Sequence, residues 1–331
     1  MYTTSTTGGV ERLSTTEGRD IFFPVFEQDV VGITTGLVPQ NYKMLTRGDG
    51  YSEQDHCLGI VGKNYRVVEN WEILMPLQEQ MINYFDPIVL DDVVIKDHIT
   101  KKGALCFAEY ILPSINGEVE TNTGHKTNVG LRFIMKNAFN SSSSVVFYSG
   151  DIDFFCTNGQ INGVYDVTRR KHTRNFAVDG FIEAFEMSLD HHKNTVEQYQ
   201  KWADSHIYDS KKVMNLFRKL TSGTTDDPKR TNVLSDRLFA QYVDEVRERG
   251  SNVFSVVSSM TNYGSHGGED TRFGLTRTGD DGTLLKRQEQ VSKWLDSKVF
   301  ADFLEAAYQH NKEGLRLWFT NIRIIPTFPA I

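Results

Sequence analysis

Arg169, Arg170, Lys171 and Arg174 crowd one short run, and Lys126, Arg132 and Lys136 precede them in the same stretch of chain. From His125 to Asn175, seven Lys/Arg stand against three acids, Asp151, Asp153 and Asp166. That segment carries +4 in a chain whose net charge is −7, which leaves −11 on the remainder. A local basic excess on an acidic protein calls for a polyanion or a folded acidic neighbour. Aromatic residues fall in the same region, among them Tyr148, Phe154, Phe155 and Tyr165. Adjacent residues on a strand face opposite ways, so Phe154 can fill a core while Phe155 stands outside it. Phe155, Tyr148 and Tyr165 would then stack on bases, worth ~1–3 kcal/mol per base. The cations would hold phosphates, with about four contacts giving a log affinity against log salt slope near −3 on a single strand. Asn158 and Gly159 would shape the turn that aims the basic run. A purely structural use competes with this reading, in which both phenylalanines are buried and the basic run caps a sheet edge or pairs with acidic helices.

A second chemistry uses carboxylates. Asp151 and Asp153 are two apart and share one side of a strand, and Glu109 on another strand could complete a Mg²⁺ site with His172 as a base. This is the set a nuclease needs, but Asp-x-Asp beside a Gly turn is also commonplace on a solvent face. Other candidates are weaker. His191 and His192 diverge by about 100° on a helix and cannot serve one metal. Gly59, Gly62 and Lys63 lack the spacing and the following hydroxyl residue of a phosphate loop. Cys57, Cys106 and Cys156 are an odd, scattered set that fits a reducing cytosol and excludes paired-cysteine zinc sites. Cys156 reads as a small buried residue, and Gly267-Gly268 with Arg272 and Arg277 could form an arm over a ligand. No metal or other cofactor is required by the pattern.

These side chains need a frame. At 331 residues, with 39% hydrophobic and 24% charged, the chain is long enough for two domains and ordinary for a soluble globule. Its longest apolar runs fall short of the ~20 residues a bilayer span requires, so no membrane role and a cytoplasmic location are expected. Residues 1–20 read as a flexible N-terminal arm. A β-rich domain with one helix follows over 21–178, and a mainly helical region packs on or beside its sheet over 179–331. Within the first domain the pattern predicts a short strand at Tyr65–Val68, then a helix capped by Asn70 that Pro76 either kinks or starts. Period-two alternation then predicts an antiparallel meander of five or six strands up to about Thr168. Lys102-Gly103, Asn116-Gly117, Asn140–Ser144 and Ser149-Gly150 are read as its turns. Period 3.6 returns from Phe181 to Ala203 and over Ser210–Leu220, Asn232–Arg249 and Leu284–Tyr308. Thr261–Gly282 reads as a long loop and Leu315–Ile325 as a returning strand. The fold class is α+β, an antiparallel sheet from the N-terminal half packed with long helices from the C-terminal half.

Several segments together carry a resemblance. Leu131–Asn137, the Asn140–Ser144 turn, Phe154–Gly159 and Lys171-His172-Thr173 resemble a family of uncharacterised phage- and plasmid-borne proteins. Lys63–Asn70 is similar to that family's opening element and Thr261-Asn262-Tyr263 to its closing one. The likeness implies DNA replication, recombination or host takeover as the setting. On this basis we expect a binding module for single-stranded DNA with little sequence preference, supporting replication, recombination or transcription. Arg169, Arg170, Lys171, Arg174, Lys136, Arg132 and Lys126 would meet phosphates. The long helices could support a homo-oligomer. The first alternative is an interaction protein whose acidic helical half docks or inhibits a phage or host polymerase or nuclease. The second is the Mg²⁺-dependent nuclease.

Overall fold

The computed structural model describes residues 9–48, 56–153, 161–222, 228–266, 269–270, 275–276 and 281–321. The chain divides into two compact units. The first holds Met1–Asn116, Gly130–Asp151 and Tyr165–Lys193; the second holds Gly117–Val129, Ile152–Val164 and Asn194–Ile331. The hairpin end at 117–129 belongs with the helices because Val119 and Val129 join the helical core.

In the first unit a short helix, α1 (Gly9–Ser14), leads to a three-stranded antiparallel sheet of β1 (Val25–Gln28), β2 (Tyr42–Arg47) and β3 (His56–Gly62), in that order. Helices α2 (Asn70–Tyr84) and α3 (Pro87–Asp91) follow. Then comes a five-stranded antiparallel meander, β4 (Val94–Thr100), β5 (Leu105–Glu120), β6 (Lys126–Ala138), β7 (Val145–Asp153) and β8 (Ile161–Arg170), in sequential order. The long helix α4 (Asp179–Asp204) follows β8. Alternate residues of the meander, Leu131, Phe133, Met135, Val145 and Phe147, share one core with Ile73, Leu74, Leu77 and Met81 of α2 and with Phe181 and Phe185 of α4. Phe133 meets Phe147 at 5.6 Å and Phe185 at 4.9 Å between centroids, so aromatic contact seats α4 on the sheet.

Several expectations are corrected here. The N-terminal arm is not loose from Gly9 onward: Leu13 is buried, and Arg19 forks onto Asp97 at 2.6 and 2.7 Å while also donating to Gln78 and the Tyr110 hydroxyl. Residues 65–68 are not a strand; the strand lies earlier, in β3. Asn70 is not the cap of α2. Glu69 is, and the Glu72 carboxylate accepts from its backbone N–H at 2.9 Å, a capping box. Asn70 is buried instead, and Pro76 lies inside the helix. Gly117 and Gly150 do not turn the chain but sit within β5 and β7. The real reversal between β5 and β6 is at Thr121–His125, where Gly124 has φ +79°. Lys102-Gly103 and the Asn140–Ser144 segment do turn, with positive φ at Lys102, Gly103 and Ser141.

The second unit is built from α5 (Ser210–Thr221), α6 (Pro228–Arg249), α7 (Val253–His266), the short strands β9 (Glu269–Asp270) and β10 (Leu275–Thr276), α8 (Asp281–Leu295) and α9 (Lys298–Asn321). The segment expected as one helix over 284–308 is two, parted at Asp296-Ser297, and the expected strand at 315–325 is helical as far as Asn321. Helix α7 was not legible as a helix. Val253 to Thr261 are all buried, serines included, so no polar face marks the period. Those hydroxyls return hydrogen bonds to the chain: Ser259 to the Val256 carbonyl at 2.7 Å and Thr261 to that of Ser258 at 3.0 Å.

Candidate nucleic-acid interface

The basic run leaves the sheet at the end of β8 and crosses to the start of α4 with His172 as its anchor. His172 is buried, and its ring stacks on Tyr65 with 4.5 Å between centroids and 17° between planes. Burial lowers the imidazole pKa to about 4, against the opposing influence of the Arg66 backbone. The Tyr65 hydroxyl donates to the Ala138 carbonyl at 2.7 Å, and burial raises its pKa. Arg66 ties the crossing down twice, through its N–H to the His172 carbonyl at 3.2 Å and through its guanidinium to the Phe176 carbonyl at 2.8 Å. Its other nitrogen pairs with Glu72 at 2.7 Å, on the first turn of α2.

Around that anchor the side chains point outward. Arg169, Arg170, Lys171 and Arg174 are all exposed, and Arg170, Lys171 and Arg174 make no ion pair among the described residues. Arg170 donates to the Arg169 carbonyl at 3.2 Å and lies over Gly180. A segment with one ring buried and its cations outside is held in one conformation before any ligand arrives, which lowers the ordering cost of binding.

The other described candidates are engaged or buried. Lys126, in the second unit, pairs with Glu118 at 2.7 Å and Glu120 at 3.3 Å. Arg132, in the first, pairs with Glu109 on the sheet face turned away from the core. Lys136 shares that face by its spacing from Arg132 and is half-buried and engaged. Tyr148 is 3% exposed, so it is a core residue and not a stacking platform. Of the seven cations expected to line one trough, Lys126 and Arg132 are thus paired with carboxylates. β6 spreads its cations along a paired strand, and the neighbouring carboxylates neutralise at least two of them. Phe155, Asn158 and Gly159 lie outside the described residues, as does the side chain of Tyr165.

Glu109 also answers the metal reading. It lies across from Lys96 in the β4–β5 register, 4.0 Å from its ammonium, and holds Arg132 on its other side. A carboxylate between two cations is spent on them. The side chains of Asp151 and Asp153 lie outside the described set, and no cluster of three metal-ligating residues occurs among the described ones. Cys106 is buried, which pushes its thiol up to about 12 and makes it inert at neutral pH.

The segments that carried the sequence resemblance in the first unit meet in space. Lys63–Asn70 packs on Lys171–Thr173 through Tyr65, His172 and Arg66. It reaches the end of β6 through Asn137, whose amide donates to the Val68 carbonyl at 2.8 Å and to Asn70 Oδ1 at 2.9 Å. The positioning roles of Tyr65 and Arg66 and the place of Gly180 were missed by sequence reasoning. Tyr65 and Arg66 stood inside a quoted motif, whereas nothing around Gly180 signals its contact.

Fold and surface thus define an α+β protein with a pinned basic crossing between its sheet and its longest described strand-following helix. The chain belongs to the family described as a domain of unknown function, DUF932, whose model matches residues 57–292. No curated protein and no solved structure matches it. Among the described residues no helix is long and apolar enough to cross a membrane.

Proposed function

We propose that this chain binds single-stranded DNA, largely without sequence preference, through the crossing from β8 to α4. One observation carries the reading: on a chain of net charge −7, Arg170, Lys171 and Arg174 are exposed and, among the described residues, without ion pairs, on a backbone pinned by the His172–Tyr65 stack. Charge left unneutralised at a rigid place is what a phosphate backbone uses. Arg169 flanks the three and extends the stripe. The biological setting we propose is cytoplasmic DNA replication, recombination or transcription linked to a phage or plasmid, alongside a phage or host replication or transcription protein.

The test is an electrophoretic shift of labelled oligo-dT by the full chain at two salt concentrations, repeated with Arg170→Gln/Lys171→Gln/Arg174→Gln. Binding that weakens steeply with salt, and weakens at low salt in the triple variant, supports the reading. Absent binding, or binding indifferent to salt, overturns it.

A further inference from the structure

The sequence of α5, Ser210 to Thr221, contains Lys211, Lys212, Arg218 and Lys219 and no acid. The structure divides that helix cleanly. Val213, Leu216, Phe217 and Leu220 are buried in the core of the second unit, while Lys211, Lys212, Asn215, Arg218 and Lys219 are exposed. None of the four cations makes an ion pair among the described residues. The nearest carboxylate in sequence, Asp209, is engaged as the helix cap, accepting from the Lys211 N–H at 3.0 Å. Lys211 to Lys219 spans roughly 12 Å along the axis at about 1.5 Å per residue, enough to follow a backbone past more than one phosphate.

An aromatic ring stands at the head of this stripe. Tyr208 is 60% exposed, with the His206 ring edge-on to it at 4.5 Å. Tyr208, His206 and Lys212 line a small, solvent-open recess whose apolar wall is Phe303 and Ala307. Cations in a row beside an exposed ring and a recess are the elements by which single strands are held, phosphates on the charges and an unstacked base on the ring. A duplex offers no free base to such a ring. A lipid surface would need the apolar side of the helix, and that side is committed to the core.

We propose that the exposed face of α5, with Tyr208, is a second contact surface for single-stranded nucleic acid, located in the helical unit. This rests on the preceding reading that the chain binds single strands, and adds residues which that reading does not use.

The test is fluorescence anisotropy of the full chain with labelled oligo-dT between about 50 and 200 mM salt. The variants are Lys211→Gln/Lys212→Gln/Arg218→Gln/Lys219→Gln, Tyr208→Leu, and the triple variant of the β8–α4 crossing. All four α5 positions are exposed and Gln is a good helix former, so the quadruple variant should fold. Four contacts at about −0.7 each contribute roughly 50-fold of salt sensitivity over that range. The proposal expects the quadruple variant to lose most of that component and Tyr208→Leu to weaken binding about tenfold with the salt slope unchanged. A quadruple variant with the wild-type slope overturns it, while a crossing variant that still loses affinity leaves the preceding reading standing. Loss in the quadruple variant alone supports the α5 surface and removes the crossing. Equal binding of poly-glutamate, or of phosphatidylserine vesicles in place of oligo-dT, overturns the nucleic-acid occupant.

Discussion

The guanidinium of Arg170 lies where a side chain on Gly180 would begin: a Cβ built on Gly180 would come 2.0 Å from Arg170 Nη2. The end of β8 is thereby tied to the first turn of α4 by the absence of a methyl group. Gly180→Ala must push the guanidinium away, and because that group ends a flexible side chain the fold should tolerate it. We expect unchanged thermal stability, or a gain of about 0.5–1 kcal/mol from helix propensity. Oligo-dT affinity should fall several-fold, with about 0.7 less salt slope. Unaltered affinity would detach Arg170 from the binding surface.

His172 makes stability depend on pH. Its folded pKa is about 4 and its ordinary value 6.5, so between those values the unfolded chain binds the extra proton. Stability from this group is fully present above pH 6.5 and is lost as pH falls toward 4, for a total of about 3 kcal/mol. His172→Phe keeps a ring for Tyr65 and removes the proton. Urea unfolding of the two proteins across that window should show the slope in the wild type and a shallower one in the variant.

Asn137→Ala should destabilise by about 2–3 kcal/mol, because it strips the buried Asn70 Oδ1 and the Val68 carbonyl of their donor. Asn70→Ala spares the Val68 bond, although it frees the Ile21 carbonyl that Asn70 serves at 2.8 Å. Chemical denaturation of the pair with their double variant should reveal coupling. Strict additivity would contradict a shared network.

Glu245 and Arg249 form an ion pair at 3.2 Å on α6, with side-chain exposures of 7% and 0%, and Arg249 also donates to Ser258 on α7 at 3.1 Å. Glu245→Ala leaves a charge buried and should cost about 3–5 kcal/mol. Replacing both, as Glu245→Leu/Arg249→Met, should recover much of the loss. A double variant as unstable as the single one would argue against desolvation as the cause.

Gly117→Ala meets a harder obstacle than Gly180→Ala. Its Cβ would fall 2.4 Å from Val196 Cγ1, a stiff side chain on α4 that cannot swing aside. Destabilisation of about 1–3 kcal/mol is expected in thermal unfolding.

Gly117 also shows where legibility ended. In sequence, Asn116-Gly117 is indistinguishable from a hairpin turn; in the protein the glycine sits mid-strand because α4 passes close by. Composition, charge and periodicity were enough for the α+β class, an antiparallel meander of five or six strands, the long helix after it and the basic run Arg169–Arg174, since all of these follow from local alternation and local charge. Helix α7 was invisible because burial on every side erased its period. Lys126, Arg132 and Tyr148 read as free because their carboxylate or core partners are remote in sequence or on other strands. The basic face of α5 could have been found from its four cations and missing acids, whereas the recess beside Tyr208 could not, since α9 supplies its wall. Sequence alone determined which residues carry charge and which way each element tends to fold. Tertiary packing decided which of those charges are neutralised, because an ion pair or a buried ring depends on neighbours that only the folded chain brings within a few ångströms.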